Sequence, residues 1–547
     1  MKLSEQQVLF LDCQTTGAKP TAGNILELAW ALGSADSTCA GSAVDQLETS
    51  PAITALLLRQ PDEQPIPTRI QRLTGISDEH LVDAVTPEVA YAQLLTAAGA
   101  STSHCVIHYA QFERPFLRHL SQDLLPFQIL CTHQIAIRLF PNLPSRGIRG
   151  LAGYFGTAPG EMKRAGCHVE ATMLIWKHLV GELEKNGITA TDQLLEWLAE
   201  PVKVKRSGYE YPLEKIKRLA LPDVAGVYRM LNRKGDVLYV GKATSLKSRV
   251  NSYFRGKKGK DPKKLEMLAQ VWDIDVTECK SAVEAALLET DEIKRLDPPY
   301  NISLKKRHRT LWFYSKEFDS LQNGQDDLHC VGPFSSELVL DSVLLLCHCL
   351  NDGTFDAAIF YDTIEHEMLQ PAFDIVCRRH SCNLTALKRP RSLLSLGMRL
   401  YRQALLAEDA ELEELLSDAD LLADTELPGN ALQDQTGEEE TSAVEITVED
   451  VADKFERLLI RAAIAFRRTK TLTRLLNSQV FINESGSVLH IREGKVNYDC
   501  PPSTNKAPGP ARPPSLPWKG LEIDAYDRMS VLLQEINRAR ASLMPPG

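Results

Sequence analysis

Six polar residues spaced between positions 228 and 301 have side chains of the types that phosphodiester hydrolysis requires: Tyr228, Tyr239, Lys242, Arg249, Glu289 and Asn301. Such a reaction needs an activated water, stabilisation of charge on the phosphoryl oxygens and help for the leaving group. Phenol, ammonium, guanidinium and carboxylate groups can meet these needs together. These residue types are compatible with that chemistry, and whether they act together depends on the elements that carry them.

The glutamate is the most informative member of the set. It lies in a stripe with steps of four and three that predicts a helix over 281–296: Ala282, Ala286, Glu289, Ile293 and Leu296. A carboxylate on this inward apolar face is costly unless it meets a partner or a metal ion. A buried structural salt bridge is the alternative for this glutamate.

The two tyrosines lie on a predicted hairpin. Residues 226–231 and 237–241 are β-type runs around the turn 232–235, which ends in glycine. A helix is expected next, over 245–254. Each tyrosine, taken alone, is also explained by strand packing.

The order of these residues resembles the GIY-YIG nuclease superfamily. The supporting strings are Gly226-Val227-Tyr228, Leu238 to Ala243, Leu246 to Phe254, and Glu284 through Ile302. The sequence most resembles the N-terminal nuclease domain of bacterial excinuclease C and its short stand-alone homologue. The resemblance rests on several dispersed blocks in the same order, rather than on one triplet.

The resemblance implies a role for each residue. Glu289 is expected to hold one divalent cation, Mg²⁺ or Mn²⁺, and Arg249 to contact the scissile phosphate. Asn301 is expected to close the site from its far end.

The hairpin tyrosines have less specific implied roles. Tyr228 and Tyr239 are expected near the attacking water, with one of them as general base. Lys242 is expected to lower the pKa of that tyrosine or to stabilise charge.

Charge is segregated along the chain. The net charge is −10, yet residues 203–310 contain 25 Lys and Arg against 14 Asp and Glu, a local net charge of +11. Residues 408–450 contain 16 acidic residues and neither Lys nor Arg. The basic block, including the loop 255–264, predicts contact with a nucleic-acid backbone, although a solvated basic surface is the alternative.

The first 185 residues or so resemble DEDDh exonucleases of the proofreading type, through Leu11 to Gly17, Leu73 to Ile76 and His108 to Leu117. Asp12 matches the first acidic position of that family. Gln14 stands where the family has glutamate, and Glu113 where it has aspartate. Two-metal chemistry needs several converging carboxylates, and an amide ligates a hard cation poorly.

The last two positions of that family also differ here. They align with Lys163 and His168, neither of which suits its role. In another alignment His168 is the catalytic histidine, but no carboxylate follows at the required spacing, and Glu170 could compensate only by rearrangement. We therefore expect an inactive exonuclease fold that binds DNA or a partner.

Four cysteines downstream raise the question of a metal cluster: Cys347, Cys349, Cys377 and Cys382. Some excinuclease C relatives carry four cysteines in this region, so an iron–sulfur or zinc site is one interpretation. The spacings depart from the family pattern, and buried free cysteines are the favoured interpretation.

These observations predict a multidomain α/β protein. We expect a ribonuclease H-like exonuclease fold, a small GIY-YIG α/β nuclease domain and a mainly helical C-terminal region. The predicted divisions are an exonuclease-like domain (1–195), a linker (196–212), the nuclease domain (213–304), a cysteine-containing mixed domain (305–405), an acidic linker (406–450) and a helical and β C-terminal region (451–547).

The expected function is metal-dependent, structure- or damage-selective nicking of double-stranded DNA in repair. Damaged or branched DNA and excision-repair loading proteins are the expected partners. The sequence has no signal peptide or membrane-span pattern, and its 12 scattered cysteines favour the cytoplasm. The alternatives are a non-catalytic DNA-binding scaffold, or a dual nuclease with residual 3′–5′ exonuclease activity.

Overall fold

A computed structural model describes residues 2–36, 51–61, 65–156, 162–201, 208–255, 261–301, 310–318, 320–336, 340–352, 366–383, 388–406, 447–476, 479–482, 487–492, 494–497, 522–539 and 543–544. Several predicted segments lie wholly or mostly outside these ranges: the acidic linker, the centre of the basic loop at 256–260 and a proline-rich stretch at 500–518. No helix in the described ranges is both long and apolar enough to cross a bilayer.

The N-terminal part of the chain is built on a five-stranded mixed sheet in the order β3-β2-β1-β4-β5. Its strands are β1 (Val8–Thr15), β2 (Ile25–Gly33), β3 (Thr54–Leu57), β4 (His104–Ile107) and β5 (Gln128–Cys131). The first three strands pair antiparallel, whereas β4 runs parallel to β1 and β5 parallel to β4. The short apolar runs at 8–11, 25–30 and 105–108 predict strands, and β1, β2 and β4 confirm them.

Helices cover both faces of this sheet. They are α1 (Thr68–Thr74), α2 (Pro87–Ala98), α3 (Ala110–Leu120), α4 (Thr132–Leu139), α5 (Ile148–Tyr154), α6 (Ala165–Lys185) and α7 (Thr191–Ala199). Successive side chains of a strand point to opposite faces. Val8 and Phe10 of β1 therefore pack in the core that contains α6, while Leu9 and Leu11 pack in the core that contains α2 and α3.

A three-stranded antiparallel sheet in the order β7-β6-β8 forms the second unit. It contains β6 (Gly226–Leu231), β7 (Val237–Ala243) and β8 (Asp273–Glu278), with helices α8 (Lys215–Leu219), α9 (Leu246–Phe254), α10 (Pro262–Leu268) and α11 (Ala282–Leu296). The predicted hairpin and the two predicted helices are confirmed. Val227 and Val240 pack against α11, whereas Tyr228 and Met230 face the opposite core with α9 and α10.

The third unit combines a small sheet with, among its described residues, four helices. The sheet has the order β10-β9-β11 and contains β9 (Trp312–Ser315), β10 (Leu321–Asn323) and β11 (His329–Phe334). The helices are α12 (Asp341–Asp352), α13 (His366–Arg379), α14 (Pro390–Leu406) and α15 (Val448–Leu475).

The long helix α15 joins two regions that the sequence analysis separates. Its N-terminal half shares one hydrophobic core with α12, α13 and α14, through residues such as Phe455 against Phe373. The division between 305–405 and 451–547 therefore does not correspond to two separate cores. The two stretches were predicted as separate because the acidic segment interrupts them in sequence.

The C-terminal elements pack against the second unit. They are β12 (Gln479–Ile482), β13 (Ser487–Arg492), β14 (Lys495–Asn497), α16 (Ile523–Ala539) and β15 (Leu543–Met544), with sheet order β14-β13-β12-β15. Met529 and Leu532 of α16 share a core with Val283 and Leu287 of α11 and with Leu472 of α15. The helix that carries Glu289 is thus covered by a helix from the far end of the chain.

Candidate active site

The hairpin of β6 and β7 places two tyrosines side by side. Tyr228 pairs with Gly241 in register, and Met230 pairs with Tyr239, so both tyrosines lie on one face. Their ring centroids are 6.2 Å apart. A Cβ atom on Gly241 would lie 2.4 Å from the Tyr228 hydroxyl oxygen and 2.8 Å from Tyr239 Cε1. A glycine is therefore required for the two phenols to approach the strand this closely.

A third tyrosine, Tyr253 on α9, completes this cluster. Its hydroxyl lies 2.9 Å from that of Tyr228, and its ring centroid lies 6.1 Å and 6.3 Å from those of Tyr228 and Tyr239. Burial, followed by the neighbouring phenols, raises the pKa of both Tyr228 and Tyr239. Both are therefore neutral, hydrogen-bonding groups at neutral pH. Sequence analysis did not assign Tyr253 to the site, although it lies within the helical string that carries Arg249.

Arg249 extends from α9 at the mouth of the cluster. The Ser245 hydroxyl caps this helix by accepting a hydrogen bond from the Ser248 N–H, which fixes where α9 begins. Arg249 is exposed, and its guanidinium carbon lies 5.4 Å from the Tyr253 ring centroid. An exposed guanidinium over a neutral aromatic ring can meet a phosphate from solvent.

Glu289 faces the cluster from α11, which begins at the Ser281 cap. Its Oε1 accepts a hydrogen bond from the backbone N–H of Lys242 at 2.9 Å. Burial raises the pKa of Glu289 to about 7, although the nearby Lys242 opposes this shift. Within the described residues no basic side chain forms an ion pair with Glu289. A carboxylate that is partly desolvated and lacks an ion pair has the chemistry to hold a divalent cation.

Glu292, about one turn further along α11, forms a buried salt bridge and therefore has a structural role. It is 5% exposed and accepts two hydrogen bonds from the Arg229 guanidinium, with a distance of 2.6 Å from Nε. Arg229 also meets Asp275 of β8 at 2.9 Å. The buried salt bridge considered as the alternative for Glu289 is therefore present, but at Glu292.

The ammonium group of Lys242 pairs with Glu535, a residue that the sequence analysis did not identify. Nζ of Lys242 donates to the Glu535 carboxylate, which lies on α16 and is 7% exposed. Lys242 is predicted either to lower the pKa of a hairpin tyrosine or to stabilise charge. The pKa of each hairpin tyrosine is raised, with burial as the largest cause. The role of Lys242 therefore stays a prediction.

Asn301 fixes the strand that carries Tyr239. Its Oδ1 accepts from the Val240 N–H and its Nδ2 donates to the Val240 carbonyl, both at 2.9 Å. Asn301 is buried, and it uses both ends of its amide on one residue of β7. Asn301 therefore contributes to the site by holding the backbone of β7, which carries Tyr239.

The exonuclease-like part brings several of its predicted site residues together. Asp12 at the centre of the sheet lies 3.2 Å from Nδ1 of His168 on α6, and the Gln14 amide lies 3.3 Å from the same nitrogen. Burial alone lowers the pKa of His168, but Asp12 outweighs it and the net shift is upward. His168 thus pairs with Asp12 through its Nδ1 atom.

Glu113 is buried beside this pair on α3. Burial, followed by the neighbouring Asp12, raises the pKa of Glu113 well above its ordinary value. Its Oε2 has no hydrogen-bond partner in the described part of the chain. Lys163 lies in the segment before α6, where its Cδ is 3.8 Å from the Cβ position of Gly75, so it approaches α1.

The four cysteines lie in or against one hydrophobic core of the helical unit. Cys347 donates to the Lys388 carbonyl, Cys382 donates to the His380 carbonyl and accepts from Arg399, and Cys377 is buried in the helical core. Among the described residues no three His, Cys, Asp or Glu side chains converge as a metal site. The iron–sulfur or zinc cluster considered for Cys347, Cys349, Cys377 and Cys382 is therefore not assembled here.

Comparison with known proteins identifies the nuclease unit. The family model of the UvrC-like GIY-YIG domain matches residues 224–302. A Mycobacterium tuberculosis protein named as a bifunctional exonuclease/endonuclease is 28% identical over 362 residues, which cover 64% of this chain and 53% of that protein. UvrABC system protein C of Psychrobacter sp. strain PRwf-1 is 48% identical over 99 residues, covering 18% of this chain and 16% of that protein.

A solved structure also matches. It is the GIY-YIG N-terminal endonuclease domain of UvrC from Thermotoga maritima, bound to magnesium as its catalytic divalent cation. The identity is 30%, the match covers 16% of this chain and 94% of that domain, and the TM-score is 0.15. The chain thus spans about half the length of its mycobacterial relative and less than a quarter of that of the Psychrobacter relative.

Proposed function

We propose that this chain, whose residues 224–302 are a UvrC-like GIY-YIG domain, is a divalent-cation-dependent DNA endonuclease. The observation that carries the proposal is Glu289. It is oriented by a backbone hydrogen bond, partly buried and without an ion pair in the described residues, and it lies beside the tyrosine cluster and Arg249.

The residues of the site divide the chemistry among them. Glu289 would hold the cation, Mg²⁺ or Mn²⁺, which supplies Lewis-acid stabilisation of a phosphoryl oxygen when bound. Arg249 would bind the scissile phosphate from the solvent side. The neutral phenols of Tyr228 and Tyr239 would orient the attacking water by hydrogen bonds, with Tyr253 fixing Tyr228. Asn301 would hold β7 in register, and Lys242 would stabilise charge.

The proposed substrate is double-stranded DNA carrying damage or a branch, cleaved by nicking during repair. The local charge of +11 over residues 203–310 supports a polyanionic substrate. Relatives of the nuclease unit are named as UvrABC system proteins, which supports an excision-repair setting. Loading proteins as partners and a cytoplasmic location belong to the same proposal.

The N-terminal part is proposed to be a ribonuclease H-like exonuclease fold without exonuclease activity. Its mixed sheet with helices on both faces, and Asp12 on the central strand, support the fold. Gln14 supplies an amide where the family has a carboxylate, and His168 pairs with Asp12. We propose that this domain binds DNA or a partner protein.

A second candidate function is a dual nuclease with residual 3′–5′ exonuclease activity. It is favoured by the convergence of Asp12, Glu113 and His168, and by the unpartnered Glu113 oxygen within the described residues. The name of the mycobacterial relative agrees with it.

One set of reactions separates these functions. Supercoiled and lesion-bearing duplexes with Mg²⁺ or Mn²⁺ are incubated with wild type, Glu289→Gln and Asp12→Asn. Nicking that is lost only in Glu289→Gln supports the endonuclease. End resection that is lost only in Asp12→Asn supports the dual nuclease. Wild-type protein that binds these DNAs but cuts none of them supports a scaffold instead.

A further inference from the structure

The C-terminal helix α16 supplies a carboxylate to the nuclease unit. Glu535 pairs with Lys242, which is 293 residues earlier in the chain, while the backbone N–H of Lys242 binds Glu289. One lysine thus connects the carboxylate of α11 to the carboxylate of α16.

Ion pairs anchor this helix at its N-terminal half. Lys294 of α11 lies 3.0 Å from Asp524 and 2.6 Å from Asp527, and its side chain is 6% exposed. A second pair joins Arg528 to Asp291 at 2.7 Å. Breaking a buried pair by removing one partner is strongly unfavourable, so the Lys294 pairs hold α16 on α11.

Apolar packing anchors the same helix around Glu535. Leu532 and Ile536 lie within one turn of it and are buried in the core shared with Val283 and Leu287. A helix held by both ion pairs and a core is a fixed part of the unit. This distinguishes Glu535 from a group on a mobile lid, which would need a low-stability element with few buried contacts.

We propose that Glu535 is a positioning residue of the nuclease site, which holds the Lys242 ammonium group in place beside Glu289. The inference rests on the proposed endonuclease function for its kinetic consequence, but the contact itself can be tested without cleavage. A lysine side chain is long and flexible, and fixing its head before substrate binds removes an ordering cost from the reaction. The active unit then includes α16 as well as residues 224–302.

The test uses the full chain with four proteins: wild type, Glu535→Gln, Glu535→Asp and Arg528→Gln. Glu535→Gln removes the charge at nearly constant volume, and Glu535→Asp keeps the charge on a shorter side chain. Arg528→Gln is the matched control, because it breaks an ion pair of the same helix interface that does not contact Lys242. Melting temperatures verify that all four proteins are folded.

Two readouts are measured. In nicking assays Glu535→Gln is expected to lower kcat by about tenfold to a hundredfold, while its KM for DNA changes less than about twofold. Glu535→Asp is expected to recover part of the lost kcat. Arg528→Gln is expected to have the wild-type kcat and KM. Independently, limited acylation followed by mass spectrometry is expected to label Lys242 several times faster in Glu535→Gln than in wild type or Arg528→Gln. The exposed Lys247 serves as the internal reference.

Each outcome decides the proposal. Equal Lys242 labelling in wild type and Glu535→Gln would overturn it, as would an unchanged kcat. Faster nicking by Glu535→Gln would also overturn it and would show an inhibitory contact. If wild type cuts no DNA, the proposed endonuclease function fails, while the labelling result still decides whether Glu535 holds Lys242.

Discussion

The Oε1 atom of Glu289 accepts a hydrogen bond from the backbone N–H of Lys242 at 2.9 Å, so the carboxylate is oriented while its charge remains available to a cation. Three residues further along the same helix, Glu292 is neutralised by Arg229. The two glutamates therefore lie on the same helix but have different partners. Substituting them should have different effects on nicking activity and on stability.

The first prediction compares these two positions. Glu289→Gln should lower nicking by about a hundredfold or more, because it removes the charge that holds the cation, and it should not lower the free energy of unfolding. Glu292→Gln should instead destabilise the protein by about 3 kcal/mol, because it leaves the Arg229 guanidinium without its buried partner. Chemical denaturation and nicking assays on both variants check this. Equal loss of stability in the two variants would contradict it.

The second prediction concerns pH. Burial raises the pKa of Glu289 from 4.5 to about 7, so below pH 7 a proton competes with the cation. Mn²⁺ affinity should rise about tenfold for each pH unit from about 5 to 7 and level off above about 7.5. Isothermal titration at several pH values measures this, with Glu289→Gln as the control that shows neither the affinity nor its pH dependence.

The same pKa has a consequence for folding. The folded protein binds more protons than the unfolded chain between pH 4.5 and 7, so Glu289 makes the free energy of unfolding fall as pH rises through that range. Glu289→Gln should remove this contribution. Chemical denaturation of the metal-free proteins at about pH 5 and pH 7.5 measures how much the free energy of unfolding falls between these two pH values. This fall should be smaller in Glu289→Gln than in wild type.

The fourth prediction compares two glycines. Gly241→Ala should reduce nicking and cost about 1–3 kcal/mol in stability, since its Cβ would clash with Tyr228 and Tyr239. Gly181→Ala is the matched control: Gly181 lies in the interior of α6 with nothing within 4 Å of its Cβ position. It should stabilise the protein by about 0.5–1 kcal/mol and leave nicking unchanged. Thermal melting and nicking assays measure both.

The fifth prediction tests the third tyrosine. Tyr253→Phe removes the hydroxyl that lies 2.9 Å from that of Tyr228, and should lower kcat by about tenfold, less than the loss of a general acid or base. Tyr209→Phe, outside the cluster, should have no effect. If Tyr253→Phe has the wild-type kcat for nicking, the Tyr253 hydroxyl does not contribute to the site.

Local patterns were sufficient to predict the elements that carry the site. Alternating apolar residues around a glycine-ended turn predict the hairpin of β6 and β7, and steps of three and four predict α11. Because these elements are continuous in sequence, the tyrosines and Glu289 could be assigned to them without tertiary information. The strands β3 and β5 were not predicted.

Non-local contacts could not be predicted in the same way. Glu535 is one acidic residue of an amphipathic helix, and only tertiary packing brings it to Lys242. The core that α15 shares with α12, α13 and α14 was also missed. These helices are separated in sequence by the acidic segment, and only tertiary packing brings them together. The identity of the paired glutamate on α11 likewise depends on where Arg229 points, which the sequence does not specify.

The contact between Lys242 and Glu535 also ties activity to translation. A ribosome that adds roughly 5 to 20 residues per second needs about 15 to 60 s to pass from the first of these codons to the second. If Glu535 positions Lys242, a nascent chain with a folded GIY-YIG unit has an incomplete site throughout this interval. The chain would therefore become a competent nuclease only after residue 535 has been synthesised, which limits cutting of DNA by nascent chains that stop short of it.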